Sequence, residues 1–140
     1  MKKISMAAFA ACVIMLAGCL PSMAQGGSLN VTFTAPFNFY AGGAKLPAGT
    51  YTISPQPEDP SVFIIQNKSG SHIVMVEGQQ STKNSSGAPK ILFNRYGTGE
   101  YLEGVEAESG NSVTIDTGVA EKLAARKETP QPHSMEGSIR

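Results

Sequence analysis

The feature that most constrains this chain is the alternation of side chains over residues 29–40. Apolar and aromatic residues occupy most odd positions, and asparagine, threonine and tyrosine occupy most even ones. A period of two places alternate side chains on opposite faces of a strand, so the segment predicts a half-buried β-strand. Pro36 lacks an N–H, which predicts an edge, a bulge or a break near the middle of that strand.

The segments that follow also have the composition of strands joined by tight turns. The chain holds 15 glycines and 9 prolines, which helix interiors disfavour. Two continuous apolar runs at residues 62–65 and 73–76 flank a polar stretch and predict a hairpin covered on both faces. A second hairpin is predicted around residues 97–100, a four-residue loop that would set Tyr96 opposite Tyr101.

The order of the elements predicts the fold class. Residues 118–127 have the 3–4 spacing of a helix, and residues 78–88 are predicted to form a polar loop. Further strands are predicted at residues 50–54, 91–96, 101–106 and 113–115. We therefore expect a mostly β fold, a small antiparallel β-sandwich or partly open barrel of about six to seven strands with one short C-terminal helix.

Residues 1–24 have the pattern of a secretory signal peptide. Lys2 and Lys3 supply a positive start, and residues 4–20 are uncharged, mostly apolar and too short for a comfortable membrane span. This leader predicts export to the periplasm, to an anchored position on the outer envelope or to the extracellular space.

Two processing sites compete within this leader. Small residues precede a cleavage position between Ala24 and Gln25, whereas residues 16–19 resemble a bacterial lipobox in which Cys19 would receive lipid. Acyl chains would convert an exported domain into an anchored one, so a membrane contact is expected only if Cys19 is modified. The sequence leaves both alternatives open.

The mature chain is expected to be one domain. Residues 25–127 suffice for one modest core, and residues 128–140 hold two prolines and few apolar side chains, which predicts a disordered tail. Both cysteines lie in the leader, so the predicted domain has no disulfide, cysteine zinc site or thiol nucleophile. Without Lys2 and Lys3, nine basic and eleven acidic residues remain, a balance that disfavours nucleic acid as a partner.

No catalytic constellation stands out in the sequence. His72 opens a predicted strand and is expected on the surface, while His133 falls in the predicted tail. Two distant histidines do not predict a metal site or a nucleophile–base pair, so no cofactor is expected. Four glutamates cluster around one hairpin, where a solvated face is favoured over the paired carboxylates of a hydrolase: Glu100, Glu103, Glu106 and Glu108.

Arg95 has the parity of a core-facing residue at the end of a predicted strand. The structural interpretation packs its stem and pairs its head with one of the hairpin glutamates. The functional interpretation makes Arg95 an anchor for an acidic or sugar ligand, with Tyr96, Tyr101 and Tyr40 supplying aromatic rings. We favour the structural interpretation and keep these four residues as the candidate ligand site.

Three segments together resemble a known group of proteins. They are residues 31–39, residues 46–53 with Leu-Pro-Ala-Gly-Thr-Tyr-Thr-Ile, and residues 89–102 with Pro-Lys-Ile-Leu-Phe-Asn-Arg-Tyr-Gly. The chain resembles small exported β-rich proteins of soil-type bacteria, a group with no known activity. The resemblance covers residues 29–125 and implies a β fold and export, but it implies no site residue. Residues 103–107 depart from the group, in which aromatic residues are more usual there.

These observations favour a non-enzymatic exported interaction or structural module of the cell envelope or extracellular space. Its partner would be another protein or a second copy, met through edge strands; donation of the strand at residues 29–40 to a neighbour is one form of this hypothesis. The alternative is a β-module that binds a polysaccharide or other polymer. A hydrolase is the least favoured of the three.

Overall fold

The computed structural model describes residues 29–83, 87–108 and 110–139. The predicted leader, with both processing sites, lies outside these residues. The described elements are eleven strands and one helix: β1 (Val31–Ala35), β2 (Phe39–Ala41), β3 (Ala44–Leu46), β4 (Gly49–Pro55), β5 (Val62–Asn67), β6 (Ile73–Thr82), β7 (Lys90–Tyr96), β8 (Gly99–Glu106), β9 (Asn111–Ile115), α1 (Val119–Ala125), β10 (Gln131–Glu136) and β11 (Ser138–Ile139).

The strands form one open, mixed sheet in the order β10-β7-β8-β9-β6-β5-β4-β1-β11. The β2–β3 hairpin joins it through one parallel pair, Tyr40 with Tyr101. The mostly β class and the short helix are therefore confirmed. The expected number of strands is wrong, because β3, β10 and β11 form where the sequence predicts turns and a tail. The purely antiparallel arrangement is also wrong, because β2 pairs with β8 in parallel.

Two glycines mark the points where the sheet folds back on itself. The first half of β6 pairs with β5 and the second half pairs with β9, with Gly78 at the change. Gly137 alone separates β10, which pairs with β7, from β11, which pairs with β1. A Cβ atom on Gly78 would lie 2.9 Å from the Thr114 carbonyl oxygen, so only glycine fits this bend without displacement.

Aromatic side chains from both halves of the sheet meet in the core. Phe33 of β1 lies 6.3 Å from Phe93 of β7, and Phe39 of β2 lies 5.2 Å from Tyr51 of β4, measured between ring centroids. The parity predicted for residues 29–40 is confirmed, since Phe33 and Phe39 are fully buried. The burial of these rings stabilises the fold and fixes the register of β1.

The C-terminal residues form strands where the sequence predicts a disordered tail. β10 pairs with every residue of β7 except Tyr96, and β11 pairs with Val31 and Thr32 of β1. The physical reason is a short alternation: His133 and Met135 turn toward the core, where His133 stacks on Phe93 and Met135 packs against the apolar cluster. The alternation is hard to detect in the sequence because most side chains of residues 128–140 are polar.

β1 is an internal strand of the chain's own sheet. It pairs with β4 along its whole length and with β11 at its first two residues. This position counts against the hypothesis that residues 29–40 are donated to a neighbour. The predicted loop at residues 78–88 is also wrong in its first part, since β6 continues to Thr82.

Candidate functional site

The four residues of the predicted ligand site line one groove. It lies between the β2–β3 hairpin and the turn that joins β7 to β8, and its volume is about 710 Å³. We call it the tyrosine groove; its walls are Phe37, Asn38, Tyr40, Lys45, Arg95, Tyr96, Gly97, Thr98, Gly99, Glu100, Tyr101 and Glu128. The other predicted site residues, Cys19, Ala24 and Gln25, lie outside the described residues.

The tyrosine rings of this groove pack mainly against one another. Tyr40 stacks on Tyr101 at 4.9 Å with an interplanar angle of 13°, and Tyr96 meets Tyr101 edge-on at 5.6 Å. The Lys45 ammonium lies 5.8 Å from the centre of the Tyr40 ring. Tyr101 is only 8% exposed, so Tyr96 and Tyr40 are the rings that a ligand could reach.

The contact between Tyr96 and Tyr101 does not arise as the sequence predicts. The β7–β8 loop has two residues, not four, so Tyr96 pairs with Gly99 and Tyr101 pairs with Asn94. Gly97 adopts a φ of 59°, which permits the tighter turn. The rings meet as diagonal neighbours across the two strands.

The phenols of Tyr96 and Tyr101 are neutral hydrogen-bond donors at neutral pH. Burial is the main cause that raises the pKa of Tyr101, and the neighbouring Tyr40 and the carboxylate of Glu121 add to it. Burial likewise raises the pKa of Tyr96, with further contributions from Glu121 and Glu103. The groove therefore offers hydroxyl groups rather than phenolate anions.

A buried carboxylate organises the floor of the groove. The Glu100 side chain is 5% exposed; Arg95 Nε lies 2.5 Å from its Oε1, and His133 Nε2 lies 2.5 Å from its Oε2. Arg95 thus pairs with a hairpin glutamate, as the structural interpretation predicts. Its side chain remains 47% exposed, so the guanidinium still borders the groove.

The predicted solvated face of four glutamates is not observed. Glu100 is buried, Glu106 pairs with Lys83 at 3.3 Å, and Glu108 is exposed. Glu103 is the extra residue of a β-bulge between the Leu92 and Phe93 positions of β7, which changes the direction of its side chain. Each carboxylate therefore has a different environment.

Sequence reasoning missed a second acidic residue beside Glu103. Glu121 of α1 is buried and lines a groove of about 510 Å³ together with Glu103, Tyr96 and Asn94. Burial raises the pKa of Glu121, the Glu103 charge adds to it, and a hydrogen bond from Asn94 Nδ2 at 3.4 Å opposes it. The apolar spacing of the helix does not predict the burial of Glu121, because Val119 and Leu123, which have that spacing, face solvent.

A third surface is apolar and lies on the outer face of β5 and β6. Ile73 is 56% exposed and Met75 is 63% exposed, and Met75 pairs with the half-buried Ile64. We call Ile64, Ile73 and Met75 the apolar strip. The predicted hairpin is therefore covered on one face only, by Phe63, Ile65 and Val76.

Neither a metal cluster nor a membrane-spanning helix is found in the described part of the chain. No group of three or more histidine, cysteine or acidic side chains is placed there to hold a metal ion. No helix among the described residues is long and apolar enough to cross a bilayer. No protein-family model matches this chain, and neither the curated proteins nor the solved structures include a significant match to it.

Proposed function

We propose that this chain is a non-enzymatic interaction module, exported to the cell envelope or beyond, that acts through protein–protein contacts at the apolar strip. The single observation that carries the proposal is the exposure of Ile73 and Met75 side by side on a regular strand. A contiguous apolar patch with a polar rim is typical of a contact surface. Gln66 and Glu77 supply such a rim.

The leader supports the exported location in this proposal. Its positive start and its apolar stretch are the pattern that secretion machinery recognises. An exported module can be soluble after cleavage before Gln25 or anchored through Cys19. The intact mass of the protein in each cell fraction distinguishes these two forms.

Site-specific photo-crosslinking in producing cells tests the contact surface. A photoreactive residue at Met75 should give a discrete adduct, because that side chain would lie in the interface. The same residue at Ile139, which is also exposed and apolar but lies on the end strand β11, separated from β6 by β5, β4 and β1, should give none. No adduct at Met75, or equal adducts at both positions, would overturn the proposal.

A second candidate function is the binding of a polysaccharide or another polymer in the tyrosine groove. The observation that favours it is the convergence of Arg95, Tyr96, Tyr101 and Tyr40 in one cavity. Tyr96 can offer ring area and a hydroxyl donor, and exposed parts of Arg95 and Lys45 can bind hydroxyl or acidic groups.

Binding to a panel of polysaccharides tests this second function. Tyr96→Ala should weaken saturable binding about tenfold or more. Tyr96→Phe keeps the ring and removes only the hydroxyl group, so its affinity shows how much each of the two contributes. Tyr101→Ala is less informative, because Tyr101 is nearly buried and its loss would disturb the sheet. If no polysaccharide binds, or if Tyr96→Ala binds as well as the unaltered protein, the groove has another role.

A further inference from the structure

Two grooves in the described part of the chain share the side chain of Tyr96. One is the tyrosine groove, of about 710 Å³, and the other is the groove of about 510 Å³ that contains Glu103 and Glu121. We call the second one the helix groove, because α1 forms one of its walls. Each volume lies in the range that holds a small ligand, so a ligand that contacts both grooves must be elongated and must pass Tyr96.

The tyrosine rings and the helix groove lie on the same face of the β7–β8 pair. Asn94 and Tyr96 are two residues apart on β7 and point to one face, and Tyr101 pairs with Asn94 and points the same way. Asn94 Nδ2 lies 3.4 Å from the Glu121 carboxyl group on α1, and Tyr40 stacks on Tyr101. The rings of one groove are therefore continuous with the polar groups of the other.

The chain that follows α1 borders both grooves. Ala125 and Arg126 line the helix groove, and Glu128 lines the tyrosine groove. The N–H groups of Lys127 and Glu128 both donate to the Ala124 carbonyl at 3.0 Å, which fixes the turn between these positions. The two grooves therefore have a second common wall, and it is held by the protein's own hydrogen bonds.

Each groove is lined by two basic and two acidic side chains. They are Lys45, Arg95, Glu100 and Glu128 in the tyrosine groove, and Lys122, Arg126, Glu103 and Glu121 in the helix groove. A balance of this kind gives no net attraction for a polyanion or a polycation. It suits hydroxyl groups, which donate to carboxylates and accept from ammonium and guanidinium groups.

The charged groups of the helix groove keep hydrogen-bonding capacity for a ligand. Among the described residues, none forms an ion pair with Glu103, Lys122 or Arg126. Thr114 adds an exposed hydroxyl group to the same wall. A sugar unit has an apolar C–H face that can pack on the ring of Tyr96 and a rim of hydroxyl groups that can bind these polar side chains.

We infer that the two grooves form one cleft for an uncharged polysaccharide, in which consecutive sugar units lie on either side of Tyr96. This inference rests on the second candidate function and names its ligand. A uronic-acid polymer fits less well, because it would place negative charge in both grooves, each of which already holds two acidic side chains.

Calorimetry with oligosaccharides of increasing length tests the ligand class. The neutral probes come from glucan, mannan, galactan and xylan, and the acidic probes are polymannuronate and polygalacturonate. At least one neutral series should bind, with an affinity that rises with length until the oligosaccharide fills both grooves. That affinity should change less than about twofold between low and high salt, because no net charge is neutralised on binding.

Ala125→Trp tests whether the helix groove takes part. Ala125 is exposed at the end of α1 and lines the helix groove, so an indole there would fill that groove without entering the core. The longest oligosaccharide should bind about tenfold more weakly, whereas a short one that the tyrosine groove holds alone should keep its affinity. Leu123→Trp is the matched control, because Leu123 is 52% exposed on the same helix and lines neither groove.

Three results would overturn the inference, and they differ in what else they remove. Equal binding of every length to Ala125→Trp and to the unaltered protein would exclude the continuous cleft but keep the tyrosine groove as a site. Tighter binding of the uronic-acid polymers, lost at high salt, would exclude the uncharged ligand but keep polymer binding. If no polymer binds, the second candidate function fails too, while the Met75 adduct still tests the apolar strip separately.

Discussion

Glu100 shows how a single buried charge ties distant parts of the chain together. Its carboxylate joins Arg95, five residues before it, to His133, which lies thirty-three residues after it. His133 also stacks on Phe93 at 5.7 Å, so its polar and aromatic contacts add to the ladder that attaches β10 to β7. A buried carboxylate that accepts from two partners is strongly orienting, and replacing one of its oxygens by an amide nitrogen leaves one of the two partners without an acceptor.

Glu100→Gln should destabilise the protein by about 1–2 kcal/mol, an amount reduced by the solvent exposure of Arg95. The substitution keeps the shape of the side chain but cannot accept from two donors in the same way. Urea unfolding measures the change, with Glu58→Gln as the control because Glu58 is exposed. Equal unfolding midpoints for Glu100→Gln and the unaltered protein would contradict the role assigned to this carboxylate.

Glu121 should make the stability of the protein fall as the pH rises. Its pKa is raised above the ordinary 4.5 in the folded state, mainly by burial, so between these two values the folded state binds more protons than the unfolded state. The stabilising contribution of the protonated form is therefore complete below pH 4.5 and is lost as the pH rises through the folded-state pKa.

Comparison of Glu121→Gln with the unaltered protein isolates this effect from the other carboxylates. The variant should gain free energy of unfolding relative to the unaltered protein as the pH rises from about 4 to 8. Chemical unfolding at several pH values gives the difference directly. A difference that is constant with pH, or that changes in the opposite direction, would show that Glu121 is not protonated preferentially in the folded state.

At the scale of elements, β6 in the middle of the strand order and the β10–β11 segment at its two ends have the same role. Each is a stretch of chain that pairs with one half of the sheet and then, across a glycine, with the other half. The close approach at Gly78 involves the main chain of β9, which cannot rotate out of the way as a side chain can. These bends bring the two inner faces together over the aromatic core.

Gly78→Ala should therefore cost about 1–3 kcal/mol of stability through overpacking at the bend. Gly43→Ala is the matched control, because a Cβ on Gly43 would meet nothing within 4 Å and its φ is not positive. Thermal unfolding of both variants, followed by circular dichroism, gives the comparison. A Gly78→Ala protein as stable as Gly43→Ala would mean that β9 moves freely at this point.

How much of this arrangement the sequence predicts depends on the range of the interactions. Residues 29–40 and 91–106 show their strands through local alternation and turns, and both are observed. The short strands β3 and β11 have no periodicity to detect at two or three residues. The tyrosine groove depends on the parallel pairing of Tyr40 with Tyr101, and Glu121 is buried by the docking of α1. Neither long-range contact leaves a local signal.

At the scale of the molecule, the C-terminal residues are part of the core structure. β10 covers β7, which carries the fully buried Ile91 and Phe93, and Gly137 donates its N–H to the Pro89 carbonyl at 2.8 Å. A chain without these residues would expose the edge of β7 and one side of its aromatic cluster. Residues 131–136 therefore help to enclose the core that contains the buried side chains of residues 29–40.

A chain that ends at Glu128 should lose about 3 kcal/mol or more of stability, because the removal of β10 exposes apolar surface of β7. A chain that ends at Gly137 keeps β10 and loses only the two-residue β11, so its loss should be much smaller. Urea unfolding and limited proteolysis of both truncations measure the difference. Two truncations of equal stability would contradict the structural role of β10.

The pairing of Val31 with Ile139 has a consequence for how this chain comes to be folded. The first described strand finds one of its neighbours only about a hundred residues further along the chain. The ladder of β1 therefore stays incomplete until Ile139 has been synthesised, and a nascent chain that has not reached β10 also lacks the outer neighbour of β7. Any process that handles this chain before it has folded, from synthesis onward, would meet it with the pairing of β1 and β11 still unmade, since that pairing waits until residue 139 has emerged.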